Sequence, residues 1–282
     1  MKTINKILCA TAFATISGVA NASEIWIDTG TDFNTSGSSS TANFGAGTVA
    51  IAQAISTLIG GTCDGSTCTP NATSTFTESG SGFISNLLPI SNPLLESNGL
   101  GQAAGWGLSF EYSDLTGDFT GPSDSPVFHA GGTVDIFYTD NTSGDIEQMA
   151  QFNILGGGPL LGESNMYGVV DYTWLDSATD TANTTADAKT FFNSVPSLTG
   201  ENSFYEIWDN WKDQQENPLT WLFNFAIAGN NSTPFADNGS GTGSRTTGLN
   251  GPLSFSVPEP TSIAILGLGL MGFAVSRKRK QN

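Results

Sequence analysis

Basic residues are nearly missing from the body of this 282-residue chain. Lys189, Lys212 and Arg245 are the three that lie between residues 23 and 257, against 25 acids, a net of −22. The whole chain reaches only −17 because Lys2, Lys6, Arg277, Lys278, Arg279 and Lys280 sit near its ends. A body so acidic is repelled by phosphate backbones and anionic lipid, which excludes nucleic-acid binding. Histidine is nearly absent too: His129 would have to serve alone as the base of a Ser-His-Asp site. No G-x-S-x-G elbow accompanies it, so it reads as a structural or surface residue. Cysteine is scarce, and a zinc site would want more ligands than Cys63 and Cys68 supply. No period of 20 to 50 residues repeats, which excludes solenoids and propellers.

What is present points to an extracellular β protein. Charged residues make up 12%, while Gly, Ser, Thr, Asn and Asp are plentiful, a turn-rich composition unlike that of a cytosolic helical enzyme. An apolar fraction of 38%, with 18 Phe and 6 Trp, supplies one sizeable core. Cys63 and Cys68 flank a tight Asp-Gly-Ser-Thr turn and are expected to form a disulfide in an oxidising compartment.

Alternating apolar residues predict strands at 25–27, 106–112, 133–138, 146–154, 167–174, 221–227 and 253–257, with 133–154 folded as a hairpin about the turn at 140–144. Gly156-Gly157-Gly158-Pro159 reads as a break. Helices are expected at 187–195 and 204–215, the second opened by a Ser203/Glu206 capping box and carrying Phe204, Ile207, Trp208 and Trp211 on one face. That aromatic face is a ligand platform or, more simply, core. Low-complexity stretches at 34–47 and 60–82 read as loops, and 229–251 as part of a flexible spacer. The fold class is therefore mostly β: a single β-sandwich or jelly-roll-like domain with one or two short helices. The predicted division is a signal peptide at 1–22, a β-rich extracellular domain at 23–228, a spacer at 229–256 and a sorting signal at 257–282.

No catalytic set stands out, and the chain reads as non-enzymatic. Glu111, Asp135, Glu147, Glu163 and Asp171 lie on or beside predicted strands and offer carboxylate pairs for glycosidic hydrolysis, without bases nearby to stabilise developing charge. Acids around turns, Asp140 and Asp145 first, then Asp114 with Asp118 and Asp176 with Asp180, are candidates for structural calcium; solvated loop acids are the competing reading. Exposed Trp or Tyr would suit a carbohydrate-binding module.

The two ends are addresses. Lys2 and Lys6, an apolar stretch from Ile7 to Val19, and Ala20-Asn21-Ala22 follow the order of a secretory signal cut before Ser23, which makes the Sec translocon and signal peptidase partners. At the other end Pro258-Glu259-Pro260 precedes an uncharged run from Thr261 to Ser276, and then Arg277, Lys278, Arg279 and Lys280. As a helix, sixteen residues rise about 24 Å, short of the ~30 Å hydrocarbon core, and snorkelling of the basic cluster covers part of the mismatch. The positive-inside rule leaves that cluster in the cytoplasm. Gly267, Gly269 and Gly272 match G-x-G-x-x-G, but no strand, following helix or distant acid accompanies them, so they read as a small-residue helix face.

The order of Pro-Glu-Pro, short apolar helix and basic stop resembles the PEP-CTERM sorting signal. The resemblance implies recognition of Pro258, Glu259 and Pro260 by an exosortase and cleavage near them. It also implies an inner-membrane intermediate, then residence on the surface or in the exopolysaccharide matrix of a Gram-negative biofilm. The early Trp strand, GWGLSFEY, GGTVDIFY and YGVVDYTW further resemble secreted PEP-CTERM proteins linked to flocculation. Intact-mass measurement of the exported protein tests both addresses: the product is expected to start at Ser23 and to lack the segment beyond the Pro-Glu-Pro motif, whereas a full-length mass contradicts the reading.

Overall fold

The alternation that marks strands in the sequence becomes two faces of a sheet. Along β6 (Trp106–Phe119) Trp106, Leu108, Phe110 and Tyr112 are buried, while Glu111 and Ser113 are exposed. Asp114, at φ 56°, shifts the phase, so Leu115, Gly117 and Phe119 carry the buried face onward. In this computed structural model the described residues are 25–34, 37–41, 44–89, 98–119, 126–160, 163–179, 185–194, 203–212, 222–229 and 233–256. The signal segment 1–22 and the segment 257–282, with its expected membrane helix at 261–276, lie outside them. No helix among the described residues is long and apolar enough to cross a membrane.

The described residues form fifteen strands and three short helices: β1 Ile25–Ile27, β2 Phe44–Ile59, β3 Thr62–Cys63, β4 Thr67–Thr69, β5 Thr75–Pro89, β6, β7 Pro126–Phe128, β8 Thr133–Asp140, β9 Ile146–Leu160, β10 Glu163–Val170, α1 Tyr172–Ser177, α2 Ala188–Phe191, β11 Phe192–Ser194, α3 Phe204–Trp211, β12 Leu222–Gly229, β13 Phe235–Gly239, β14 Thr242–Thr247 and β15 Leu249–Ser256. Eight of them pair in the order β2-β5-β6-β8-β9-β10-β12-β15, every neighbour antiparallel, and β15 returns to β2 through Asn250↔Ala50 to Ser254↔Ala46. The ladder closes into a ring, which removes the free edges of those strands along that stretch. Strand order follows chain order, so the connectivity is an up-and-down meander and not the Greek-key path of the expected jelly roll.

The faces run apolar inward and mostly polar outward. Leu108, Phe110, Val134, Ile136, Phe152 and Ile154 are 4% exposed or less, while their strand neighbours on the other face are mostly polar, with Gly107, Phe137 and Leu155 among them. Ile55, Ile59, Phe83, Leu155 and Tyr167, each 45–54% exposed, interrupt that polar pattern. Aromatic rings fill the core: Trp106 stacks on Tyr138 at 5.9 Å, and Phe191 of α2 meets both edge-on at 6.3 and 5.8 Å.

Several sequence expectations need correction. Residues 235–256 are not a spacer: β13, β14 and β15 occupy them, and β14 and β15 line one edge of β2, so the domain runs to residue 256 and does not stop at 228. The expected loops at 34–47 and 60–82 run into two of the longest strands, β2 from Phe44 and β5 from Thr75, because along β5 the small Thr75, Thr77, Ser79 and Ser81 suit the exposed face of a paired strand. Gly156-Gly157-Gly158-Pro159 does not break β9; it pairs with β10, and a register shift there absorbs the glycines, with Gly156 at φ 145°. The strand expected to reach Trp174 ends at Val170, where Asp171 caps α1 by accepting from Thr173 and Trp174 N–H. The helix expected at 187–195 stops at Phe191, and β11 follows. Val195, residues 213–215 and Trp221 of the expected elements lie outside the described residues. The Ser203/Glu206 capping box on α3 is present.

One polar cluster is buried within the apolar interior. Glu78 of β5, 8% exposed, accepts from Ser56 Oγ at 2.5 Å and from Tyr112 Oη at 3.0 Å. Gly80 makes room for that phenol: a Cβ there would stand 2.6 Å from both Tyr112 Oη and the Gln53 carbonyl. Burial pushes the Glu78 carboxyl above its ordinary 4.5, against the pull of its two hydrogen bonds and of the Arg245 charge. The folded chain then holds this proton more tightly than the unfolded one, so the Glu78 contribution to stability falls as pH rises through the window above 4.5. Glu78→Gln is expected to flatten that fall when urea midpoints are compared between about pH 4 and pH 8; an unchanged slope contradicts it.

Candidate functional site

Cross-strand register assembles a polar row on the outer face of the barrel. Gln53 faces Ser81, Ser81 faces Glu111, Glu111 faces Asp135, and Asp135 faces Gln151, so one row crosses β2, β5, β6, β8 and β9. A groove of about 280 Å³ lies along it, floored by Gly80 and Tyr112. The next row, Phe83, Ser109, Phe137 and Gln148, follows the same strands from β5 to β9. Phe83 is 54% exposed, although its neighbours Gly82 and Ile84 are buried.

Glu111 and Asp135, two of the carboxylates singled out in the sequence, are thereby brought directly opposite each other. Like charges in that position destabilise a sheet by roughly 0.2–1 kcal/mol. The Asp135 carboxylate is held in place: Gln148 and Gln151 both donate from Nε2 to its Oδ1 at 2.8 Å. The other three acids are not brought to this row. Glu147, 7% exposed, stands in β9 opposite Tyr138 and lines a second groove, Asp171 caps α1 and accepts from Asn153 at 3.0 Å, and the Glu163 side chain lies outside the described residues.

A second groove, about 260 Å³, is cut where α1 packs on β9, between Trp174, Glu147, Gln148, Ser177 and Thr179. Trp174 is half-buried, as are Trp26 and Trp208, while Trp106 is fully buried. On α3, Phe204 and Ile207 join the core as expected for a packed face, and Trp208 stacks flat on Tyr172 at 5.0 Å. Lys212 lies over Trp208 and pairs with Asp209, while Lys189 lies over Tyr205. Arg245 lies over Phe235, so all three body cations are engaged on aromatic rings, and Lys189, which donates to the Asp176 carbonyl, borders the second groove without lining it. Exposed Phe83 and the aligned rows were missed in the sequence, because nothing in a single strand reveals which residue of another strand will stand beside it.

The turn acids are used locally. Asp140 accepts from Thr142 and Ser143 N–H at 2.7 and 3.2 Å and so shapes the β8–β9 turn; Asp145 is the next residue but one after Ser143, whose Oγ accepts from its N–H at 3.2 Å. Asp176 accepts from Tyr205 Oη at 2.7 Å, and Asp180 lies outside the described residues. His129 Nε2 meets Asp118 Oδ2 at 2.8 Å on the surface. Cys63 and Cys68 face each other across β3 and β4 and are disulfide-bonded. Asp237 stands beside them and accepts from Gly65 N–H at 2.9 Å, so this apparent metal-ligand cluster is a tied hairpin. Asp64, in the same turn, accepts from Thr67 and Ser66 N–H, which holds its carboxyl below the usual range.

Among known proteins, the family model described as the PEP-CTERM protein-sorting motif matches residues 256–280, which include Pro258, Glu259, Pro260 and the cluster Arg277, Lys278, Arg279 and Lys280. No curated protein and no solved structure matches the chain. The chain thus carries the address of an exported protein sorted through the membrane to the cell exterior. More particularly, it carries a PEP-CTERM motif, and exosortase is the processing partner that this motif implies.

Removing one charge of the facing pair tests whether the row carries a stability cost. Glu111→Gln is expected to leave the protein as stable or more stable, by about 0.2–1 kcal/mol in urea unfolding. A clear loss of stability contradicts the like-charge account.

Proposed function

We propose that this chain is a non-enzymatic adhesive or structural protein of an exopolysaccharide matrix, which holds polysaccharide on the outer face of β5, β6 and β8. Export through Sec, removal of residues 1–22 by signal peptidase, a membrane intermediate held by 261–276, and exosortase processing at Pro258-Glu259-Pro260 would deliver it to the surface of a Gram-negative cell. The observation that carries the reading is the outer row itself. Amides, hydroxyls and carboxylates stand in register beside exposed Phe83 and half-buried Phe137, so hydroxyl-recognising groups adjoin apolar patches that suit the C–H faces of sugars. An acidic, water-facing barrel in a polysaccharide-rich matrix would stay soluble while it binds.

A second reading, glycan hydrolysis, is favoured by one observation: Glu111 and Asp135 stand opposite each other along a groove. Apart from Ile55 the side chains lining that groove beside them are an amide and hydroxyls, and Gln148 and Gln151 hold the Asp135 carboxylate by hydrogen bonds, so binding is the stronger reading. The test is a deletion strain under polysaccharide-producing conditions, together with co-sedimentation of the mature protein with polysaccharide from the same strain. Reduced aggregation, co-sedimentation and no new reducing ends are expected. Unchanged aggregation with no co-sedimentation overturns the adhesive reading, and release of reducing ends that Glu111→Gln abolishes replaces it with hydrolysis.

A further inference from the structure

Gln148 stands between the two grooves, bonded to Asp135 of the first and lining the second. The second row reads Phe83, Ser109, Phe137 and Gln148 in register, and Trp174 of α1 shares the second groove with Gln148 at the end of that row. Phe83 and Phe137 lie two strands apart, about 9–10 Å at the spacing of paired strands. An extended β-linked pyranose chain repeats its rings at close to one inter-strand step, and alternate rings present the same face. Aromatics on alternate strands thus match alternate sugars of a linear chain lying across the strands.

Charge narrows the class of sugar. Glu111, Asp135 and Glu147 line this track, no lysine or arginine lines either groove, and the body around it has a net charge of −22. A polymer of uronic acids is repelled along its whole length, whereas an ammonium group on every second or third ring finds the facing carboxylates beside its path. We infer that Phe83, Phe137 and Trp174, with Glu111 and Asp135 alongside, form one binding track for a linear β-linked amino-sugar polymer bearing free amines. The inference rests on the matrix-adhesion reading and names its ligand class.

The test is titration of the mature protein with glucosamine, N-acetylglucosamine, glucose and galacturonate hexamers, all β-linked except the last, by calorimetry and by tryptophan fluorescence at low and high salt. The glucosamine hexamer is expected to bind best, to weaken as salt rises, and to lose at least about tenfold in affinity on Trp174→Ala, on Phe83→Ala and on Asp135→Asn. Phe83 is exposed, so its variant keeps the fold, and circular dichroism checks all three. Equal binding of glucose and glucosamine hexamers, preference for galacturonate, or no effect of Trp174→Ala and Phe83→Ala overturns the inference. If the strain's own polysaccharide co-sediments while no amino-sugar hexamer binds, the ligand class fails and the adhesive reading stands. If neither binds, both fail.

Discussion

The structure depends on five residue pairs, Ala46 to Ala50 against Asn250 to Ser254, through which the last strand returns to β2. Without them β2 and β15 would each expose a run of unpaired backbone groups, the usual starting point for edge-to-edge association. With them, the eight-stranded ladder has a single inside, which the aromatic core fills, and a single outside, which is mostly polar. Closure also sets the register of the outer rows, because side chains alternate with period two and a one-residue slip in any strand would turn its polar residues inward. β15 ends at Ser256, where the sorting-motif match begins, so the strand that completes the ring leads directly into the address.

Polar groups appear where this architecture can hold them. Glu78 is tolerated inside because Ser56 and Tyr112 each give its carboxylate a hydrogen bond, and Tyr112 reaches it because position 80 is glycine. Outside, Glu111 and Asp135 face each other with amides around Asp135, an arrangement that sheet stability does not favour and that a ligand for the row would explain. The disulfide and the Asp64 turn tie down only the β3–β4 hairpin, whose closed loop is too short to constrain the unfolded chain much.

Legibility in the sequence followed the range of the interaction. The β8–β9 hairpin, the capping box of α3, the Cys63–Cys68 pair and the strand at 106–112 are local patterns, and the structure contains them. The first residues of β2 and β5 look like loop because of their Gly, Ser and Thr, which along β5 face solvent, while the residues that pair with them lie elsewhere in the chain. β13, β14 and the first half of β15 hid in a Gly/Ser/Thr/Asn stretch, whereas the strand expected at 253–257 is the second half of β15. Glu111 and Asp135 were visible as separate strand acids; that they stand together follows from the β6–β8 register, which no single-strand pattern reports. The sorting motif was the most legible feature of all, because it is read as a linear order of residues and not as a fold.

Native-state hydrogen exchange on residues 249–256 tests ring closure most directly. The closed barrel predicts that the paired amides of this strand exchange only through openings approaching global unfolding, as slowly as those of β6 and β8. Exchange there at the rate of an unstructured peptide, with β6 and β8 still protected, would contradict closure and return the segment to the spacer that its composition suggests.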